Sequence, residues 1–286
     1  MKKVVFSIYV DIPEDKLDNP GWFKEDGSQI HTDKSREVKV KLRAYAGALD
    51  LNKKEYAESI GADYILYEND DKYSLFCEMF KTKYPQISEY DIINFYKHWV
   101  MKELATEYDL VCYIDFDVIC NTTEDIFEAH DNTKFACAES NEQAAHGKTY
   151  VHNYRHCIRN PATKYWNTHA MLSENGYDPK TDVYNTGIMI ASKDVLNQLK
   201  YFDEFDEMLD LMTFLKNDPD TMYPKNIQRV FNYDNETVFA YKVVANNVPI
   251  DYMVKDWHAC VMKDESLRGE KMYHMIGKEF ERFFTV

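Results

Sequence analysis

The chain has 286 residues, 45% of them hydrophobic, enough for one large or two small cores. Thirty-four Lys and Arg against 49 Asp and Glu leave a net charge of -15, which excludes wholesale attraction to nucleic acid or anionic lipid and confines any polyanionic partner to a local patch. Six cysteines (77, 112, 120, 137, 157 and 260) without C-x-x-C spacing argue against a disulfide framework and a zinc site, and predict a soluble, cytoplasmic protein in a reducing compartment.

In chain order, "VVFSIYV" (4–10) reads as a first strand, because its apolar run is broken at Ser7 and stopped by Asp11, too short for a signal h-region or a membrane span. A helix follows over 36–60, interrupted at Gly47, and then a strand at 63–67. Residues 91–107 predict a helix leading into the strand "LVCYI" (110–114), followed by strands at 134–139 and 186–191. Apolar residues at three- and four-residue spacing predict one helix over 193–216, with Ser192 as its N-cap. "YKVVAN" (241–246) reads as a last strand, preceded by "DNETVF" (234–239), where Asp234 can cap a short helix. Strands alternating with helices predict an α/β fold with a mostly parallel central sheet flanked by helices, whose ligands bind beyond the carboxyl ends of the strands. Without internal repeats or low-complexity linkers, a single domain over 1–286 is expected, with a nucleotide-binding half (1–133) and an acceptor-side half (134–286).

Asp115 and Asp117 directly follow a buried strand. In an extended segment residues two apart point the same way, so their carboxylates can share a divalent ion; hard oxygen ligands suit Mn2+ or Mg2+, with open positions for diphosphate oxygens. A turn with solvated charges is the plain alternative.

The segment "NFYKHWVMKELATEYDLVCYIDFDVIC" resembles the matching region of glycosyltransferase family eight, glycogenin and its relatives. "VYNTGIMIAS" (183–192) is similar to that family's N-x-G segment, and "YHMIGK" (273–278) to its H-F-x-G-x-x-K-P-W signature, though without the K-P-W ending. The resemblance implies a GT-A (Rossmann-like nucleotide-diphospho-sugar transferase) fold and a nucleotide-sugar donor, with UDP expected. It implies Asp115, Asp117 and His274 as metal ligands, with His258 a rival for the third position. Lys97 and Lys278 would neutralise the diphosphate, Gly277 would belong to the same segment, and Asn185 and Gly187 would border the sugar. Asp234 or Glu236 would orient the donor sugar or stabilise developing positive charge, and the outcome would be retention of configuration. Each has a plain alternative: Lys97 as a solvated helix lysine, His274 as a structural histidine, Asn185 and Gly187 as a turn before a strand.

Residues 143–173 contain no acidic residue where average usage would place about five. This basic, aromatic segment offers Lys148, Arg155, Arg159, Lys164 and Trp166 as acceptor-binding residues. The expected acceptor is a glycan or glycolipid; a hydroxylated base in DNA is a narrower alternative, and a loop balancing the acidic surface is a third. The cationic stretch 34–43 can face donor phosphates or be half-exposed helix surface. A nucleotidyltransferase, disfavoured by the lack of a glycine-rich phosphate loop, and a noncatalytic nucleotide-sugar-binding domain are the competing classes.

Overall fold

A computed structural model describes residues 1–17, 22–23, 29–30, 34–149, 160–220, 223, 225, 228, 231 and 233–284. The strands are β1 (Lys3–Ile8), β2 (Trp22–Phe23), β3 (Gln29–Ile30), β4 (Asp63–Tyr67), β5 (Leu110–Ile114), β6 (Val118–Cys120), β7 (Phe135–Glu139), β8 (Tyr184–Ser192), β9 (Ile250–Tyr252), β10 (Ala259–Cys260) and β11 (Met272–His274). The helices are α1 (Lys34–Ser59), α2 (Asp71–Lys83), α3 (Glu89–Leu104), α4 (Ile126–Ala129), α5 (Asn141–Thr149), α6 (Pro161–Glu174), α7 (Lys193–Leu199), α8 (Phe205–Asn217) and α9 (Asn235–Ala245).

Six strands form the central sheet in the order β4-β1-β5-β8-β7-β9, joining both halves of the chain; β8 alone runs against the other five. Alternation along each strand sends side chains to two cores. Val4, Phe6, Val111, Tyr113 and Met189 pack among α2, α3, α8 and α9, whereas Val5, Cys112, Ile114, Ile188 and Ile190 face α1 and α4. The expected mostly parallel α/β sheet flanked by helices is therefore what the chain builds. No described helix is long and apolar enough to cross a membrane, and the five cysteines with described side chains are free.

Three local expectations are corrected. Residues 241–246 are not a strand: Asp234 accepts from the Thr237 backbone N–H and caps α9, whose Val238, Phe239 and Val243 are buried. Packing and the cap outweigh the β preference of the paired valines. The helix expected over 193–216 is split into α7 and α8 by left-handed backbone at Lys200 (φ 49°) and Glu204 (φ 53°). The first helix runs unbroken through Gly47, where nothing lies close to the position of a Cβ.

A second sheet, β10-β11-β6, sits at the carboxyl edge of the first, with β11 antiparallel to β6 and parallel to β10. Its register pairs His274 with Val118 and Cys260 with His274.

Candidate active site

The buried strand β5 ends at Ile114 and the chain turns at once, with the Val118 N–H donating to the Asp115 carbonyl at 2.9 Å. The two aspartates are thus brought together across a tight turn rather than by alternation along an extended strand, which corrects the geometric basis of the expectation but keeps the pair. Because β8 is antiparallel, its beginning meets the end of β5: the Asp115 N–H donates to the Gly187 carbonyl at 2.7 Å. On the other side the Met275 N–H donates to the Asp117 carbonyl at 3.1 Å.

His274 Nε2 lies 3.7 Å from Asp115 Oδ2 and 3.5 Å from Asp117 Oδ1, and one ligand atom from each of the three residues falls within 4.8 Å of the others. Two carboxylates and an imidazole at that spacing fit a hard divalent ion. The Tyr113 hydroxyl donates to Asp115 Oδ1 at 2.5 Å, and Lys278 forms an ion pair with Asp117. Lys278 holds a left-handed φ of 54°, a costly conformation for a residue with a Cβ.

The charges are tightly coupled. Burial raises the Asp117 carboxyl, but the Lys278 ammonium and the His274 imidazolium outweigh it and hold that carboxyl well below the usual range. Burial lowers His274, yet Asp117 and the Cys260 thiol push it up to about 10. His258, the rival ligand, stands behind His274: its Nε2 is 3.0 Å from His274 Nδ1, and burial with the neighbouring His274 charge holds it neutral. It can accept the His274 Nδ1 proton and leave Nε2 facing the aspartates, the usual way an outer partner fixes a metal-binding imidazole.

A metal-binding imidazole must have a free lone pair, so a protonated His274 must lose a proton when an ion binds. The raised value means this proton is present at neutral pH and gone above about pH 10. Apparent Mn2+ affinity should therefore rise with pH, by about tenfold per unit between pH 7 and 9. Calorimetry at pH 7.5 in buffers of different ionisation enthalpy should find about one proton released per ion; uptake or no exchange would contradict the assignment.

Gly187 is required by close approach. A Cβ there would lie 2.6 Å from His274 Cε1, 2.7 Å from its Nδ1 and 2.9 Å from Asp115 Oδ2. Both side chains are held by the hydrogen bonds above, so Gly187→Ala should displace Asp115 and His274 together and weaken any metal binding by this cluster about 10- to 100-fold, at a folding cost of about 1–3 kcal/mol. Unchanged metal affinity would show that the cluster is not a ligand set. Asn185 shapes the same bend, its Oδ1 accepting from the Gly187 N–H at 2.9 Å. Against β7 the register jumps from Cys137–Met189 to Ala138–Asn185, so one step on β7 spans four on β8, a bulge that leaves residues 186–188 without partners on β7. Gly277 packs on the backbone of Met262 and Lys263, where a Cβ would lie 2.6 Å from Lys263 N.

Lys97 is not a solvated helix lysine. It is 3% exposed, donates to the Thr186 carbonyl at 3.1 Å and lies 5.1 Å from the centre of the Tyr113 ring. Thr186 in turn donates from its N–H (2.8 Å) and Oγ1 (3.0 Å) to Glu236 Oε1, and Glu236 forms an ion pair with Lys164. Burial raises Glu236, and Lys164 with Lys97 reverses that and lowers it; burial raises Asp234, against Lys164 but with Glu236.

Of the expected acceptor residues, Lys164 is thus committed to this network. Trp166 sits on α6 with its ring 5.2 Å from those of Tyr165 and His169. Arg155, Arg159 and the Lys148 side chain lie outside the described residues. In the stretch 34–43, Lys39 and Arg43 pair with Asp11, and Arg36 with Glu14, so these cations hold the segment after β1.

Lys53 was not expected from the sequence. It is fully buried and donates at 2.8 Å to the carbonyls of Phe116 and Val118, pinning the turn that carries the aspartates; burial lowers its amine to about 8. A signal exists in the sequence, since Lys53 falls on the same helical stripe as Leu49, Tyr56, Ala57 and Ile60.

Fold and site together define a mixed α/β protein with a mostly parallel sheet and a carboxylate–imidazole cluster at its carboxyl edge. No protein-family profile and no curated protein matches the chain. It is similar to solved glycosyltransferase structures. One is a glycosyltransferase involved in glycosylation of the major capsid of PBCV-1 (15% identity, TM-score 0.44, covering 97% of this chain and 94% of that one). Others are mouse xyloside xylosyltransferase 1 (11%, 0.47, 96% and 98%) and the galactosyltransferase LgtC with donor and acceptor sugar analogues (11%, 0.44, 96% and 87%).

Proposed function

We propose that the chain is a metal-dependent glycosyltransferase of GT-A type, moving a sugar from a nucleotide-diphosphate donor to a hydroxyl acceptor. The convergence of Asp115, Asp117, His274 and Lys278 at the carboxyl edge of the sheet carries this reading. Asp115, Asp117 and His274 would hold Mn2+ or Mg2+, which when bound supplies positive charge to the departing diphosphate. Lys278 would exchange its Asp117 contact for a diphosphate oxygen, and Lys97 would keep the start of β8 in place. Asn185 borders the sugar. Asp234, whose carboxyl is raised by burial, would hydrogen-bond a sugar hydroxyl, while Glu236, with both oxygens engaged, supports the bend at Thr186.

In the transfer the bond between the anomeric carbon and the diphosphate oxygen breaks, the acceptor oxygen bonds to that carbon, and the acceptor proton leaves with the diphosphate. UDP as the nucleotide, retention of configuration, and a glycan or glycolipid acceptor complete the proposal. The pairing of Lys164 with Glu236 favours a neutral acceptor over a polyanion, since that cation is already neutralised. The test is release of nucleoside diphosphate from a panel of nucleotide-sugars with and without Mn2+. Metal-dependent release from one donor is expected; tight donor binding with no release, even with a sugar acceptor panel, would leave a binding domain instead.

A further inference from the structure

We infer that His258, Cys260 and His274 form a second metal site, for a thiophilic ion of the zinc class, which competes with the aspartate site for His274. One ligand atom from each of the three lies within 4.8 Å of the others. His258 and His274 are 5% and 7% exposed, while Cys260 is only half-buried and leaves a way in. The register of β10 against β11 sets Cys260 beside His274, and His258, two residues before Cys260, can lie on the same side. The facing ring nitrogens are 3.0 Å apart. Two imidazole nitrogens on one tetrahedral zinc ion are about 3.3 Å apart, given Zn–N bonds of about 2.0–2.1 Å, so the pair needs to open by only a few tenths of an ångström.

The donors also differ in kind. Two carboxylates and an imidazole suit a hard ion, whereas two imidazoles and a thiolate suit a soft one. Cys260 already has an outer partner, since the Asn185 amide donates to its sulfur at 3.8 Å. The competition follows from His274 itself. A neutral imidazole has one lone pair: at Nε2 it faces Asp115 and Asp117, at Nδ1 it faces His258. A soft ion would form bonds to Cys260 Sγ, His258 Nε2 and His274 Nδ1. The Cys260 thiol proton and the His274 Nδ1 proton would pass to solvent, and the remaining His274 proton would stay on Nε2 beside the aspartates, where it bars a hard cation. Thiophilic ions would therefore inhibit the hard-ion site without touching either aspartate.

The site does not depend on the transferase reading, and its test needs no turnover. The full chain would be titrated with Co2+, and the thiolate-to-cobalt charge-transfer band followed in wild type, Cys260→Ser and Asp115→Asn, with displacement of bound Mn2+ by Zn2+ followed by electron paramagnetic resonance. The band is expected in wild type and Asp115→Asn and absent in Cys260→Ser. The Cys260→Ser chain should bind Zn2+ about 10- to 100-fold more weakly while losing none of its Mn2+ affinity. One Zn2+ should expel one Mn2+ from wild type. A missing band, a band that persists in Cys260→Ser, or Zn2+ affinity that falls in Asp115→Asn but not in Cys260→Ser would overturn the site. A band with Mn2+ still bound would overturn the sharing of His274. Cys260→Ala, checked for native circular dichroism, repeats the test should serine itself bind the ion.

Discussion

Asp117→Asn is expected to release nucleoside diphosphate on the order of a thousandfold more slowly than wild type, the loss of several kcal/mol of charge stabilisation on the leaving group. The substitution keeps the size of the side chain and removes its charge. The turn survives, because its backbone is held by Lys53 and Met275 rather than by the carboxylate. What changes is the balance around it: His274 and Lys278 would face each other without the anion that pairs with both. The His274 imidazole would fall from about 10 toward the ordinary histidine range, so the rise of metal affinity with pH should flatten above neutrality. Diphosphate release, manganese affinity at several pH values and the melting temperature measure these three effects. Wild-type turnover with unaltered manganese binding would remove Asp117 from the site.

Removing Glu236 should act on the fold before it acts on any chemistry. Its side chain is 12% exposed and that of Lys164 15%, and Glu236 also accepts two hydrogen bonds from Thr186. Glu236→Ala would leave a largely buried ammonium with, among the described residues, Asp234 at 4.0 Å as its remaining ion-pair partner, and an unpaired Thr186 N–H. Truncating one member of a buried pair costs about 3–5 kcal/mol, so a fall in melting temperature on the order of 10 °C is expected. Replacing the pair together, with Lys164→Met and Glu236→Met, should recover most of that loss, because no charge is then stranded. Glu236→Gln separates the roles: it keeps an acceptor for the Thr186 N–H, so a stable but inactive variant would assign Glu236 to the chemistry, and a stable, active one would confine it to support.

Much of the site was legible along the chain. A continuously apolar strand ending in two aspartates, and an asparagine and glycine opening another apolar strand, are local patterns, and each sits where the alternation of strand and helix puts it. Asp234 as a cap was equally readable, since capping is settled within one helical turn. The error at 241–246 has the same root: over six residues a buried helix and a buried strand look alike, and only the partner surface distinguishes them. Lys97 and Lys53, both buried, show that the charge of a lysine says nothing of where its backbone carries it.

By itself the sequence determined the α/β class and the placement of Asp115 and Asp117 behind a buried strand, because propensity, periodicity and short spacing act over a few residues; His274 was pointed to only by the resemblance of its segment to a known family. Only the tertiary structure decided which groups meet. The antiparallel course of β8 brings Gly187 against Asp115, the register of β11 on β6 brings His274 to Asp117, and β10 brings His258 and Cys260 behind it. These are pairings over long stretches of chain, set by how two sheets share one edge, and no local pattern encodes the distance at which two side chains finally stand.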